Sequence, residues 1–385
     1  MSEIRWIEAG TDQSAQWHSE NGMPAPRRVV VADDRMRADT AYRLACEGTA
    51  MLWRGDFHNA RQLLQAMSRR ADRKGLQQGA TPAESFHLHR RARGQRARTL
   101  SMLLVLLEHD YTIALRRSPD VRRACTETYG PPERPSVISL RELLGVIGSS
   151  QWRRKGVEVP ALGARLHPHY GVFSPVRGEY VNLVAQAPLP LPTSDRGPGP
   201  RTAFDLGTGT GVLAAVLAHR GIERVVATDT NPRALACARE NVRRLDMARR
   251  IEVVSADLFP PGRADLVVCN PPWIPARPTS SIEQGVYDPE SRMLRGFLYG
   301  LADHLEPGGE GWLILSDLAE HLGLRPRREL LATLDAARLR VVDKSDVRPR
   351  HPRVSDAADP LHAARSVEVT SLWRLTAARS PVSAS

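Results

Sequence analysis

The sequence predicts an α/β fold whose C-terminal half is an open, mostly parallel sheet, and three observations carry that expectation. A short apolar run, Thr202-Ala203-Phe204-Asp205-Leu206, passes through Gly207-Thr208-Gly209-Thr210-Gly211 into an apolar helical stretch, which reads as buried strand, tight turn and helix. Two further apolar runs each end in an acid, Asp229 and Asp257. A fourth delivers the tetrapeptide Asn270-Pro271-Pro272-Trp273.

The glycines of the first turn let the backbone bend sharply and approach a ligand where a Cβ would clash. The N–H groups that open the next helix face that ligand. Asp205 stands just before the first glycine, where it would repel a pyrophosphate and attract the ammonium of a bound amino acid. S-adenosylmethionine carries such an ammonium. The spacing is GxGxG, not the GxGxxG of dinucleotide sites. Taken alone, the turn is equally an ordinary strand-to-helix connection.

The second strand, Arg224-Val225-Val226-Ala227-Thr228-Asp229, ends its acid roughly 20 residues after the glycines, where such folds place a ribose-binding carboxylate. Asp229 is the expected ribose ligand, with Thr230 and Asn231 beside it. Asn231-Pro232 then opens a helix as N-cap and first residue, and Leu235, Ala238, Val242 and Leu245 give that helix one apolar stripe. The third strand, Ile251 to Ala256, brings Asp257 to an adenine amino group and Leu258 to the ring. As a turn residue, Asp257 is also at home in solvent.

The fourth strand runs from Ala264 to Cys269. Pro271 and Pro272 each remove a backbone donor and fix φ, so their carbonyls point outward from a rigid loop. Asn270 adds a side-chain carbonyl. Two fixed acceptors hold both hydrogens of a planar –NH2 group and aim its lone pair at a methyl donor. Trp273 offers a flat surface on which a planar substrate stacks.

Residues from about 165 to 377 resemble the class I S-adenosylmethionine-dependent methyltransferases, in the small-domain group that includes the HemK-type glutamine methyltransferases. The resemblance rests on Asp205-Leu206-Gly207-Thr208-Gly209-Thr210-Gly211, Thr228-Asp229-Thr230-Asn231-Pro232 and Asn270-Pro271-Pro272-Trp273-Ile274-Pro275. It implies a seven-stranded Rossmann-like sheet with the last strand antiparallel. Gly171-Val172-Phe173-Ser174-Pro175 resembles the segment these enzymes lay over the cofactor, which implies that Phe173 and Pro175 line the methionine or substrate side. Two departures stand out. Trp273 occupies a position where the HemK type usually has Tyr, and Tyr287-Asp288-Pro289-Glu290-Ser291 replaces a glycine-rich stretch.

The expected activity is methyl transfer to a planar amino or amide nitrogen. Asp205, Gly207, Thr208, Gly209, Gly211, Asp229, Thr230, Asn231, Asp257 and Leu258 would hold the donor, and Asn270 the acceptor. Tyr287 and Arg292, in a poorly periodic stretch beyond the strand ends, are candidate acceptor contacts. The acceptor is a glutamine of a translation protein or an RNA base. A metabolite is the alternative, and a methyltransferase-like binding protein without catalysis is a further one.

The length of 385 residues suggests two domains. They are read as a mainly helical substrate-recognition domain over 1–165 and a methyltransferase domain over 166–377, with a disordered tail over 378–385. The net charge of +11 fits nucleic acid or a ribosomal partner, although all but three of the 54 basic residues are arginine, as a GC-rich genome would also produce. The densest basic run, His87 to Arg98, is either a phosphate-binding face or the solvated side of a helix. Helices are expected over Asp39 to Arg54, Asp56 to Arg73 and Thr99 to Arg117, with a short strand at Val29-Val30-Val31. Cys46, Cys125, Cys237 and Cys269 lack metal-ligand spacing, so no metal is expected and the thiols read as reduced, in a cytoplasmic protein. No apolar run reaches the ~18 residues of a membrane span.

Overall fold

A computed structural model describes residues 2–73, 78–175, 178–190, 200–349, 356 and 359–378. The chain forms two compact units, one of Met1–Gly79 with Glu84–Trp152, the other of Ala80–Ala83 with Arg153–Ser385. Arg177, the proline-rich loop over 191–199 and the tail beyond 378 fall outside the described residues, as does part of the expected linker and of the excursion after Arg348.

The first unit is not mainly helical. Its centre is a six-stranded mixed sheet in the order β1-β2-β6-β5-β4-β3. The strands are β1 (Glu3–Glu8), β2 (Thr11–Trp17), β3 (Arg28–Ala32), β4 (Thr49–Trp53), β5 (Leu103–Leu107) and β6 (Ser136–Ser139). The helices are α1 (Ala38–Cys46), α2 (Phe57–Asp72), α3 (Pro82–Leu100), α4 (Arg122–Tyr129) and α5 (Leu140–Lys155). The expected helix over Asp39 to Arg54 stops at α1. The chain turns at Gly48 (φ 78°) and continues as β4. The expected helix over Thr99 to Arg117 is instead the end of α3 followed by β5.

The physical reason lies in double burial. Met51, Trp53, Leu103, Val105 and Ile138 join the core formed with α1 and α2. Their neighbours Ala50, Leu52, Leu104 and Val137 join Ile4, Trp6 and Trp17 in a second cluster. Strands buried on both faces are continuously apolar and show no alternation, so periodicity alone does not separate them from a buried helix. Within this unit the basic run lies on α3. Arg96 reaches Asp72 at 2.6 Å, Arg98 donates to Gln95 at 2.7 Å, and Arg90 lies over the Phe86 ring.

The second unit opens with a small hairpin, β7 (Val157–Val159) and β8 (Ala164–Leu166), and then builds a seven-stranded sheet. Its strands are β9 (Thr202–Leu206), β10 (Arg224–Asp229), β11 (Ile251–Ser255), β12 (Ala264–Cys269), β13 (Leu305–Ser316), β14 (Leu339–Val347) and β15 (Thr370–Ala377). The order is β11-β10-β9-β12-β13-β15-β14, and β15 runs antiparallel to both of its neighbours. Starting at β9, the chain steps outward through β10 to β11 and then returns to β12 on the other side of β9. The carboxyl ends of β9 and β12 therefore flank the switch point, where open α/β sheets take their ligands.

Helices cover both faces: α6 (Glu179–Gln186), α7 (Val212–His219), α8 (Pro232–Arg244), α9 (Arg292–His304), α10 (Leu318–His321), α11 (Arg327–Ala336) and α12 (His362–Arg365). All of α7 but His219 is buried. The α8 stripe forms as its spacing predicts, and Asn231 caps the helix by accepting the Arg233 amide at 2.9 Å. No helix of the described residues is long and apolar enough to cross a membrane.

Candidate active site

A cavity of about 630 Å³ opens at the carboxyl ends of β9, β10 and β12. Its floor is the turn after β9, where Gly207 (φ 69°), Gly209 (φ 56°) and Gly211 (φ 82°) are all left-handed, the region that favours residues without a Cβ. Gly207 and Gly209 line the cavity and Gly211 does not. A Cβ on Gly211 would stand 3.4 Å from Ala238, an ordinary contact, so it is the left-handed backbone at the start of α7 that calls for glycine here.

Asp205 is buried at the end of β9. Its Oδ2 accepts the Thr208 hydroxyl at 2.6 Å and the Ala214 amide at 3.0 Å, which ties turn and helix together. Burial pushes its carboxyl up to about 6, against the pull of those two bonds. Asp229 ends β10 and bonds the turn from the other side. Its Oδ2 accepts the Gly209 amide at 3.1 Å and its Oδ1 accepts the Asn231 amide at 2.9 Å. Burial raises its carboxyl too. Thr208, Thr230 and Asn231 also line this wall.

Asp257 and Leu258 follow β11 on the same wall. Leu258 is left-handed (φ 70°), and its carbonyl accepts the Thr228 hydroxyl at 2.6 Å. Asp257 is exposed, 3.5 Å from the equally exposed Arg292. Arg292 thus stands beside the wall expected to hold the nucleoside, in the cavity that Asn270 also lines. Tyr287 does not line the cavity; its backbone pairs with Ile274 in an isolated parallel bridge.

Beyond β12, Asn270 and Pro272 line the cavity, whereas Pro271 and Trp273 do not. The Trp273 indole Nε1 donates to Asn270 Oδ1 at 2.9 Å, and the ring packs against the core clusters on both sides of the sheet. That packing removes Trp273 from the stacking position expected for it. Phe173 lines the cavity, while Pro175 is buried away from it.

Several lining residues went unmarked in the sequence. Gln284, Gly285, Asp288 and Met293 come from the poorly periodic stretch beyond the strand ends, and Gly296 from the helix that follows it. Met293 Cε lies where a Cβ on Gly207 would be, and Leu258 fills the space left open by Gly296. Asp288 is buried, and its two oxygens accept the amides of Met293 at 3.0 Å and Leu294 at 3.1 Å, which fixes the start of α9. Arg325, only 4% exposed, donates to Ser291 Oγ at 3.1 Å and to the Trp273 carbonyl at 3.3 Å. The one available signal was Asp288 falling four residues before the first turn of a helix. Nothing local marked Arg325. Among the described residues, no group of three or more His, Cys, Asp or Glu is arranged to hold a metal ion.

Residues 190–333 match the methyltransferase small domain family. The chain is 39% identical over 146 residues to a release factor glutamine methyltransferase of Cereibacter sphaeroides, covering 37% of this chain and 49% of that protein. A protein of the same name from Moorella thermoacetica is 37% identical over 122 residues, covering 28% of this chain and 43% of that one. A ribosomal protein L11 methyltransferase of Chelativorans sp. is 39% identical over 139 residues, covering 34% and 40%. The chain thus spans about half the length of the curated relatives it matches.

Proposed function

We propose that this chain is an S-adenosylmethionine-dependent N-methyltransferase acting on the side-chain amide of a glutamine in a translation protein. One observation carries the reaction type: Asn270 lines the same cavity as Asp205, Asp229 and the glycine turn. A volume of about 630 Å³ suits a nucleoside-sized ligand with an acceptor group beside it. The translation-protein acceptor draws its support from the relatives, two of which are named for release factors and one for ribosomal protein L11. The basic face of α3 in the first unit is the proposed contact for that partner.

Bound S-adenosylmethionine supplies an electrophilic methyl on a positively charged sulfur. Asp205 would face the ammonium of the amino-acid part, and Asp229 would accept the ribose hydroxyls. Asp257 and Leu258 take the adenine. Asn270 Oδ1 would accept one hydrogen of the acceptor –NH2 and orient its lone pair. The nitrogen would give up one proton to solvent as it takes the methyl that the bound donor would supply. Positioning of this kind supplies up to ~7–11 kcal/mol in favourable cases.

The test is transfer of tritiated methyl from S-adenosylmethionine into a cell lysate separated into protein, RNA and small molecules. Label in the protein fraction, recovered as N-methylglutamine after digestion, is the expected result. Label confined to RNA or to small molecules would replace the acceptor. Absence of label together with absence of S-adenosylhomocysteine binding would remove the activity.

A further inference from the structure

We infer that Trp273 is a positioning residue whose indole N–H selects one of the two orientations of the Asn270 carboxamide. This inference rests on the reading of Asn270 as the acceptor-holding group. The two ends of a carboxamide have nearly the same shape and opposite hydrogen-bonding character: oxygen accepts and –NH2 donates. A half-turn about the side chain's last bond would reverse what Asn270 offers to a substrate amine. Indole Nε1 is a donor and nothing else. It stands 2.9 Å from Asn270 Oδ1, so the reversed carboxamide would set N–H against N–H. The bond leaves the second lone pair of Oδ1 for the acceptor.

The selector is itself held. The Trp273 ring packs against both core clusters of the sheet and stays out of the cavity. Its carbonyl accepts from Arg325 Nη2 at 3.3 Å, and the same guanidinium reaches Ser291 Oγ at 3.1 Å, at the entrance to α9. Arg325 is buried, so its side chain has little room to swing away. A tyrosine at this place would not discriminate in the same way, because a phenolic hydroxyl both donates and accepts.

The discriminating variant replaces Trp273 with 3-benzothienylalanine, which has the indole shape with sulfur in place of the N–H. Rates are read as tritiated methyl transfer into the lysate fraction that the wild-type protein labels, and cofactor affinity by calorimetry with S-adenosylhomocysteine. The expected result is a kcat lower by about tenfold, the scale of one lost hydrogen bond, with S-adenosylhomocysteine affinity and thermal midpoint unchanged. An unchanged kcat overturns the inference. So does a loss of kcat matched by losses of affinity and stability, which is what a purely structural tryptophan would give.

A second measurement needs no acceptor. In protein labelled with 15N at the indoles, exchange of the Trp273 N–H with deuterium should speed up at least severalfold in Asn270→Ala. Identical exchange in the two proteins overturns the contact. If the wild type labels nothing, the proposed function fails, and the exchange experiment still decides the pairing.

Discussion

Arg292 Nη2 lies 3.5 Å from Asp257 Oδ2, and both residues line the cavity. From sequence they belong to different partners, the adenine and the acceptor. In the fold α9 begins over the turn after β11, so one stands against the other. Their side chains are 84% and 74% exposed, and ion pairs this open are worth about 0–1 kcal/mol. Arg292→Ala is therefore expected to leave unfolding free energy within about 0.5 kcal/mol of wild type. It should change the S-adenosylhomocysteine Kd by less than about fivefold. Denaturant titration and calorimetry check both.

Asn270→Ala separates donor from acceptor. The proposed donor wall consists of residues at and just after the ends of β9, β10 and β11 and is untouched by this change, so S-adenosylhomocysteine should bind as in wild type. Turnover should fall by about 100-fold or more, since small losses of positioning cost that much. Abolished cofactor binding in this variant would contradict the division of roles.

The raised carboxyl of Asp205 predicts that S-adenosylhomocysteine binding depends on pH. A carboxylate lifted to about 6 is protonated below that value, and the neutral form does not attract an ammonium. Affinity is thus expected to be full well above pH 6, about half at pH 6, and lost as pH falls further. The S-adenosylhomocysteine Kd should rise by about tenfold from pH 7 to pH 5. 5′-Methylthioadenosine, which has the nucleoside without the amino acid, should show the smaller change. Equal slopes for the two ligands would mean that Asp205 does not meet the ammonium.

The glycines of one turn have different duties. Gly207→Ala forces a left-handed alanine and drives its Cβ into Met293 at the cavity wall, so S-adenosylhomocysteine affinity should drop by about tenfold or more. Gly211→Ala meets Ala238 instead. It should cost about 1–2 kcal/mol of stability through its left-handed backbone, with affinity changed far less. Calorimetry paired with urea unfolding distinguishes the two.

Arg325→Met leaves the Trp273 carbonyl and the Ser291 hydroxyl without their buried donor. A loss of about 1–3 kcal/mol is expected in urea unfolding. Arg325→Lys should not restore it, because a single ammonium does not span the two acceptors as the guanidinium fork does.

The core of the site was legible in the sequence because the information is local. Asp205, Gly207, Gly209, Asp229, Asp257 and Asn270 each sit at the end of an apolar run, and a parallel strand brings its last residue to the same edge of the sheet as its neighbours. The strands of the second unit could be read for the same reason. In the first unit this reasoning failed, because β4 and β5 bury both faces and lose the alternation that marks a strand.

Residue type and spacing alone determined the glycine turn, the acids at the strand ends and the rigid loop at Asn270, since a turn, a cap or a proline pair acts within a few residues of itself. Only the tertiary structure decided that Trp273 faces Asn270 and not the substrate space, that Arg325 holds the Trp273 carbonyl across 52 positions of chain, and that Arg292 meets Asp257. Side-chain direction at those places follows from which core surfaces remain open once the sheet and its helices have packed, and that is a property of contacts between distant segments.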